Sequence, residues 1–238
     1  MEKIYFVGAG PGDPDLITVK GNDLLQRADV LIYTGSLVNP ALVDRSHATI
    51  KVDSWGKTLE EIVPLMVTHA RSGKRVVRLH SGDPSLFGAI VEQMQRLREE
   101  EIEYEVIPGV SSMFGAAAAL QTQLTLGGVS DTVIVTRPAG ETLDYDNITE
   151  LSGHGATMVV FLGAAHFEEV ISKVQYPPET PAAVVYKATW PDQKIITGTV
   201  ADIARKASDA GINRTALLII GGILSPAHAG HRRSALYS

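Results

Sequence analysis

The 238-residue chain has no cysteine. That excludes disulfides, a thiolate nucleophile, iron–sulfur clusters and cysteine-ligated zinc together, and it fits a reducing compartment. A basic excess is also missing. Lys and Arg number 21 against 27 Asp and Glu, a formal charge of −6. Dedicated nucleic-acid binders carry the opposite balance, so no nucleic-acid partner is expected. An anionic small molecule can still be met by a local basic cluster. Long apolar runs are absent as well. The run at 216–224 is far below the ~20 residues that span a bilayer, and the one at 4–10 is short for a signal peptide and meets Pro11-Gly12-Asp13-Pro14 at once. No membrane partner and a cytoplasmic location are expected. The seven histidines are scattered, so no metal site is expected either. What remains is a globular composition, 45 % hydrophobic and 20 % charged, which argues against a largely disordered chain.

Short apolar β-type runs alternate with helical patterns along the whole chain. Strands are expected at 4–7, 30–33, 76–80, 104–107, 132–136, 157–162, 182–187, 195–197 and 216–220. Helices are expected at 15–28, 58–72, 86–100, 116–120, 165–174 and 200–210. In 58–72 Leu59, Ile62, Val63 and Met66 fall at helical spacing, and Gly73 closes the segment. In 86–100 Leu86, Ile90, Val91, Met94 and Leu97 form one apolar stripe. The alternation predicts an α/β fold of two small domains with mainly parallel or mixed sheets. A shift from polar to glycine-rich residues at 121–128 places the boundary, giving domains at 1–121 and 122–226 and a poorly ordered tail at 227–238.

Four stretches carry candidate chemistry. Gly8-Ala9-Gly10-Pro11-Gly12-Asp13 follows the first strand. It is not the dinucleotide fingerprint, which needs a glycine where Asp13 stands, and the acid expected after the second strand is replaced by Thr34. No Gly-Lys-Ser/Thr follows, so it is not a P-loop. It reads as a glycine-rich strand–helix turn, or as a loop whose backbone approaches a ligand closely. His80-Ser81-Gly82-Asp83-Pro84-Ser85-Leu86-Phe87 also joins a buried strand to a helix. Asp83 there is a helix-terminus carboxylate or a polar anchor. Pro108-Gly109-Val110-Ser111-Ser112-Met113-Phe114-Gly115 is a turn and cap, or a wall of small residues beside a flat ligand. Tyr186-Lys187-Ala188-Thr189-Trp190-Pro191 combines aromatics with Lys, which suits a ring-shaped anion.

Taken together and in this order, the four stretches resemble the tetrapyrrole methyltransferases, the class III S-adenosylmethionine-dependent enzymes of sirohaem and cobalamin synthesis, from about residue 3 to 225. Tyr33-Thr34-Gly35-Ser36-Leu37-Val38, the 80–88 stretch, Thr136-Arg137-Pro138-Ala139-Gly140 and Ser234-Ala235-Leu236-Tyr237 narrow the resemblance to members that methylate a corrinoid precursor. The resemblance implies two α/β domains with the cofactor in the cleft between them, and a homodimer. It implies S-adenosylmethionine as cofactor and S-adenosylhomocysteine as product. The implied cofactor contacts are Pro11, Ser81, Gly82, Asp83, Leu86, Ser111, Ser112, Leu162 and Ala188, with Ala216 and Leu217 near the adenine. The implied substrate is a tetrapyrrole bearing acetate and propionate groups, for which Arg137, Lys187, Lys57 and His80 are the candidate basic rim.

Two positions depart from the family pattern. The uroporphyrinogen branch carries an Asp, regarded as a proton acceptor, where Thr34 stands, so that role cannot be carried over. The family usually has Pro where this chain has Gly127, and glycine loosens that segment. Asp13 is the remaining candidate base, with a helix-terminus carboxylate as its structural alternative. The rival functions are another class III methyltransferase acting on a different carbon, a nucleotide-binding oxidoreductase with a degenerate turn, and a binding module without turnover.

Overall fold

The computed structural model describes residues 2–35, 37–140, 143–225 and 231–233. Ser36, the 234–237 motif and most of the expected tail lie outside the described residues. The chain divides into two compact units, Met1–Ser112 and Met113–Ser238. The sequence suggests a boundary at 121; the units part nine residues earlier. The reason is the small-residue helix that follows Ser111. Its Ala116 and Ala117 are buried with Leu124, Leu126, Leu217 and Ile219, all of the second unit.

In the first unit β1 (Ile4–Gly8), α1 (Val19–Gln26), β2 (Val30–Tyr33), α2 (Pro40–Arg45), β3 (Ile50–Asp53), α3 (Leu59–Arg71), β4 (Val76–His80), α4 (Val91–Glu99) and β5 (Tyr104–Ile107) follow in order. The strands form one sheet in the order β3-β2-β4-β1-β5, with every pairing parallel. Both faces are covered, so the inner strands read as continuous apolar runs. Ile4, Phe6, Val30, Ile32 and Val76 pack with Ile62, Val63 and Met66 of α3 and Leu97 of α4. Val7, Leu31, Val77 and Leu79 pack on the opposite face with Leu24 and Leu25 of α1 and Leu42 of α2.

Two helices start later than their apolar patterns suggest, each for a local reason. Residues Pro14–Leu16 form a single 3₁₀ turn, and α1 begins only after Thr18, whose hydroxyl accepts from the Gly21 N–H at 3.1 Å. The stretch before α4 is diverted by Phe87 and Ala89, which hold φ of 55° and 48°. No α-helix runs through such residues.

The second unit opens on α5 (Ser112–Ala119), which begins at the last residue of the first unit. There follow β6 (Val133–Thr136), α6 (Ile148–Ser152), β7 (Thr157–Val160), α7 (Phe167–Lys173), β8 (Pro181–Tyr186), β9 (Lys194–Thr199), α8 (Ile203–Asp209) and β10 (Ala216–Ile220). The sheet order is β6-β7-β10-β8-β9. Only β6–β7 is parallel; β10 runs antiparallel to both β7 and β8, and β8–β9 is a hairpin. The carboxyl ends of β6, β7 and β8 therefore share one edge of the sheet with the amino end of β10. The sheet is mixed where the first is parallel.

Candidate functional site

In the first unit the loops after β1, β4 and β5 meet backbone to backbone. Gly10 and Gly82 exchange both amide hydrogen bonds, at 3.2 and 2.8 Å, and the Ala9 N–H donates to the His80 carbonyl at 2.7 Å. A Cβ on Gly8 would lie 2.5 Å from the Gly109 Cα, and one on Gly109 would lie 2.2 Å from the Gly82 carbonyl oxygen. Only glycine permits these approaches. Asp83 locks the arrangement. One carboxylate oxygen accepts from the Gly109 N–H at 2.8 Å and the other from the Ser85 amide and hydroxyl. Burial alone would raise the Asp83 carboxyl; the hydrogen bonds from Ser85 and Gly109 overcome this and hold it below its ordinary range. Asp83 is thus a tie between two loops.

Ser81, Gly82, Ser111 and Ser112 are brought together here. The nearest atoms to a Cβ on Gly82 would be the backbone of Ser111 and Ser112, at 3.7 Å. Pro11 is buried in the β1 loop. Asp13, two residues on, caps the 3₁₀ turn: its carboxylate accepts from the Asp15 N–H at 2.9 Å.

Beside these loops, between the carboxyl end of the sheet and α3 and α4, lies a pocket of about 420 Å³ lined in part by Ser54, Lys57, Arg78, His80, Leu86 and Gln93. It brings together two of the expected basic residues, Lys57 and His80. It also holds Arg78, which the sequence reading passes over. Arg78 is only 5 % exposed. Its guanidinium donates to the Ser54 hydroxyl at 2.9 Å and, at 3.4 Å, to the Gln93 side-chain carbonyl. Both partners are neutral, and among the described residues no carboxylate forms an ion pair with it. Burial lowers its pKa to about 10, partly offset by the charge of Asp53. His80 packs its ring 5.9 Å from that of Phe6, and its Nε2 is buried without a hydrogen-bond partner. Burial, and then the Arg78 charge, push its pKa down to about 3, so the imidazole is neutral at pH 7. A buried cation hydrogen-bonded only to neutral groups, beside an imidazole whose Nε2 is unpaired, is an anion-receptive arrangement. The signal was in the sequence: Val-Val-Arg-Leu-His puts one charge inside an otherwise apolar buried strand.

In the second unit the remaining candidates gather on one sheet edge. Leu162 follows β7, Lys187 and Ala188 follow β8, and Ala216 opens β10 with Thr215 just before it. Arg137 follows β6 on the same edge. Leu162, Lys187, Thr189 and Thr215 hold φ of 54°, 45°, 70° and 51°. Such angles are uncommon without glycine, and for a β-branched residue they are outliers; they concentrate at binding sites. Leu162 is 61 % exposed, whereas Ala188 is buried. Among the described residues neither the N–H nor the carbonyl of Ala188 is hydrogen-bonded. Buried backbone groups are almost always paired. Leu217 is buried in the core on the other side of the ladder from Ala216. The Lys187 ammonium lies 2.7 Å from Asp192 and above the rings of Tyr186 and Trp190, at 5.4 and 5.2 Å.

A parallel sheet with glycine loops packed at its carboxyl edge, followed by a mixed sheet with a strained edge, defines a two-unit α/β protein built to hold small ligands at loop ends. The chain matches the model of the tetrapyrrole (corrin/porphyrin) methylases over residues 3–204, and it belongs to that family. It is 46 % identical to the cobalt-precorrin-4 C(11)-methyltransferase of Methanocaldococcus jannaschii, over 97 % of this chain and 92 % of that protein. The X-ray structure of a cobalamin biosynthetic enzyme, cobalt precorrin-4 methyltransferase, superposes with a TM-score of 0.91 at 43 % identity, covering 94 % of this chain and 96 % of that one. The uroporphyrin-III C-methyl transferase of Thermus thermophilus, complexed with S-adenyl homocysteine, gives a TM-score of 0.81 at 30 % identity, covering 93 % and 98 %. Family membership sets aside the oxidoreductase alternative.

Proposed function

We propose that this protein transfers a methyl group from S-adenosylmethionine to carbon 11 of precorrin-4, giving precorrin-5 in cobalamin biosynthesis. The observation that carries the reading is near-full-length identity of 46 % to a cobalt-precorrin-4 C(11)-methyltransferase and of 44 % to a precorrin-4 C(11)-methyltransferase. The residues fit such a cofactor. The unpaired N–H and carbonyl of Ala188 offer one donor and one acceptor to an adenine edge. Leu162 and Ala216 stand on the same sheet edge. In the first unit Pro11, the Ser81–Asp83 stretch, Leu86, Ser111 and Ser112 line or support loops whose glycines allow close backbone approach. When bound, the cofactor supplies an electrophilic methyl on a sulfonium.

The chain's own task is then mainly to position and to exclude water. Holding reactants in near-attack geometry is worth ~7–11 kcal/mol, and charge leaving sulfur favours a dry site. Asp83 fixes the loops, and the pocket beside them receives the macrocycle. Arg78 binds one of its carboxylates, with Lys57 at the rim and the neutral imidazole of His80 as a further polar contact. Arg137, which follows β6, is kept as a carboxylate contact on the family resemblance alone. Asp13, whose carboxylate caps the 3₁₀ turn, is the candidate base. A cytoplasmic homodimer completes the proposal and rests on the family resemblance.

Calorimetric titration of S-adenosylhomocysteine into the purified protein, with NAD, NADP and GTP as controls, tests the cofactor. Saturable binding of the first alone, near one per chain, is expected. Binding of NAD or NADP in its place would sink the assignment.

A further inference from the structure

The turn after β8 contains a cation that the methyl-transfer reading leaves unused. Sequence pattern alone makes Lys187 a contact for the substrate's carboxylates. The structure gives its ammonium other work. It donates to Asp192 at 2.7 Å and lies over two aromatic rings, and the side chain spans the turn from its first residue to its far limb. The backbone it spans is strained at Lys187 and again at Thr189. Strain of this kind persists only where neighbouring contacts over-determine it. Other contacts share in this: the Lys187 N–H donates to the Thr215 carbonyl at 2.9 Å, the Trp190 N–H to the Lys187 carbonyl at 3.0 Å, the Gln193 N–H to the Trp190 carbonyl at 3.1 Å and the Thr189 N–H to the Gln193 side chain at 2.7 Å. Between the two strained residues sits Ala188, buried and with both backbone groups unpaired.

We propose that Lys187 is a positioning residue for the cofactor edge: clamped by Asp192, Tyr186 and Trp190, it holds the turn in the form that keeps the Ala188 N–H and carbonyl unpaired for a heteroaromatic ring. The inference rests on the methyl-transfer reading and extends it. A substrate carboxylate at the same ammonium would be set against the carboxylate of Asp192, a like-charge approach. A strut needs the opposite arrangement, a cation whose charge is already satisfied within the turn.

The test separates the two roles. Lys187→Met keeps most of the aliphatic stem and removes the charge, and Asp192→Asn weakens the clamp while leaving the lysine in place. Both should weaken S-adenosylhomocysteine binding by about tenfold, a change of ~1.4 kcal/mol, and raise the KM for S-adenosylmethionine. The KM for the macrocycle should stay within about twofold. Lys187→Arg, which can still reach the acid and the rings, should recover most of the affinity. The opposite pattern, a raised macrocycle KM with unchanged S-adenosylhomocysteine affinity, would overturn the assignment and make Lys187 a substrate contact. Melting curves identify a variant that fails to fold; Asp192→Asn, which alters an exposed side chain, then carries the comparison. If the wild-type protein binds S-adenosylhomocysteine and both variants bind it equally well, only the role of Lys187 falls. If the wild-type protein does not bind it, the methyl-transfer reading falls and this inference with it.

Discussion

Arg78 and His80 occupy alternate positions of one buried strand, and their environments give them opposite characters. Arg78 remains charged because its pKa falls only to about 10, yet its hydrogen bonds go to neutral groups. Replacing a buried cation by an apolar side chain of similar reach is often neutral or stabilising. Arg78→Met should therefore leave the melting temperature unchanged or slightly raised. It should also raise the macrocycle KM by about 10- to 100-fold, the worth of a charge-assisted hydrogen bond. Steady-state kinetics beside thermal melting tests both halves; an unchanged KM would remove Arg78 from the substrate site. His80 is neutral in the fold, with its pKa near 3, against 6.5 when unfolded. Between these values the unfolded chain binds a proton that the folded chain does not. Stability therefore falls as pH drops below 6.5 and stops falling from this source below about 3. Denaturant titrations at pH 7 and pH 4.5 should show the loss, and His80→Gln should reduce it.

The loops that build the site were legible as motifs before their geometry was known, because glycine, proline and aspartate clusters mark special backbone wherever they occur. What they do was less legible. Asp83 is indistinguishable in sequence from an N-cap or a ligand anchor, and only the Gly109 N–H on a distant loop shows it to be a tie. At the level of elements, long periodic helices such as α3 were readable, as were the buried strands β2, β4 and β10. The short pieces were not: α2 and α6 span too few residues to show a period, and β3 is a half-exposed edge strand of four residues. The late start of α4 depends on two left-handed residues that carry no glycine signal. The close packing of the loops gives a prediction at this scale. Gly109→Ala drives a Cβ to 2.2 Å from a backbone oxygen that cannot move alone. It should cost about 3 kcal/mol or more, the upper range for overpacking. Gly140→Ala, with open space around it, should stay within about 0.5 kcal/mol. Urea midpoints of the two variants provide the comparison.

For the molecule as a whole, alternating strand and helix patterns foretold two α/β units, but not that the second sheet is mixed. Antiparallel β8 and β10 read the same as parallel strands when both faces are buried. The acidic net charge required that an anionic substrate meet a local cluster, and the first unit supplies one in Arg78 and Lys57 around the neutral His80. Lys57 and His80 were visible as rim candidates. Arg78 was hidden because a strand pattern treats one charge in an apolar run as an exception. Lys187 is ambiguous in the sequence because an aromatic-flanked lysine looks alike whether it serves a ligand or its own turn. Methyl transfer to precorrin-4 is open to a single assay. The protein is incubated anaerobically with precorrin-4, with or without cobalt in the ring, and S-adenosylmethionine labelled at the methyl group; the products are followed by mass and by the position of the label. One labelled methyl per macrocycle is expected at carbon 11, with S-adenosylhomocysteine released in equal amount. Label at another carbon, or cofactor binding with no transfer to either form of the ring, would contradict it.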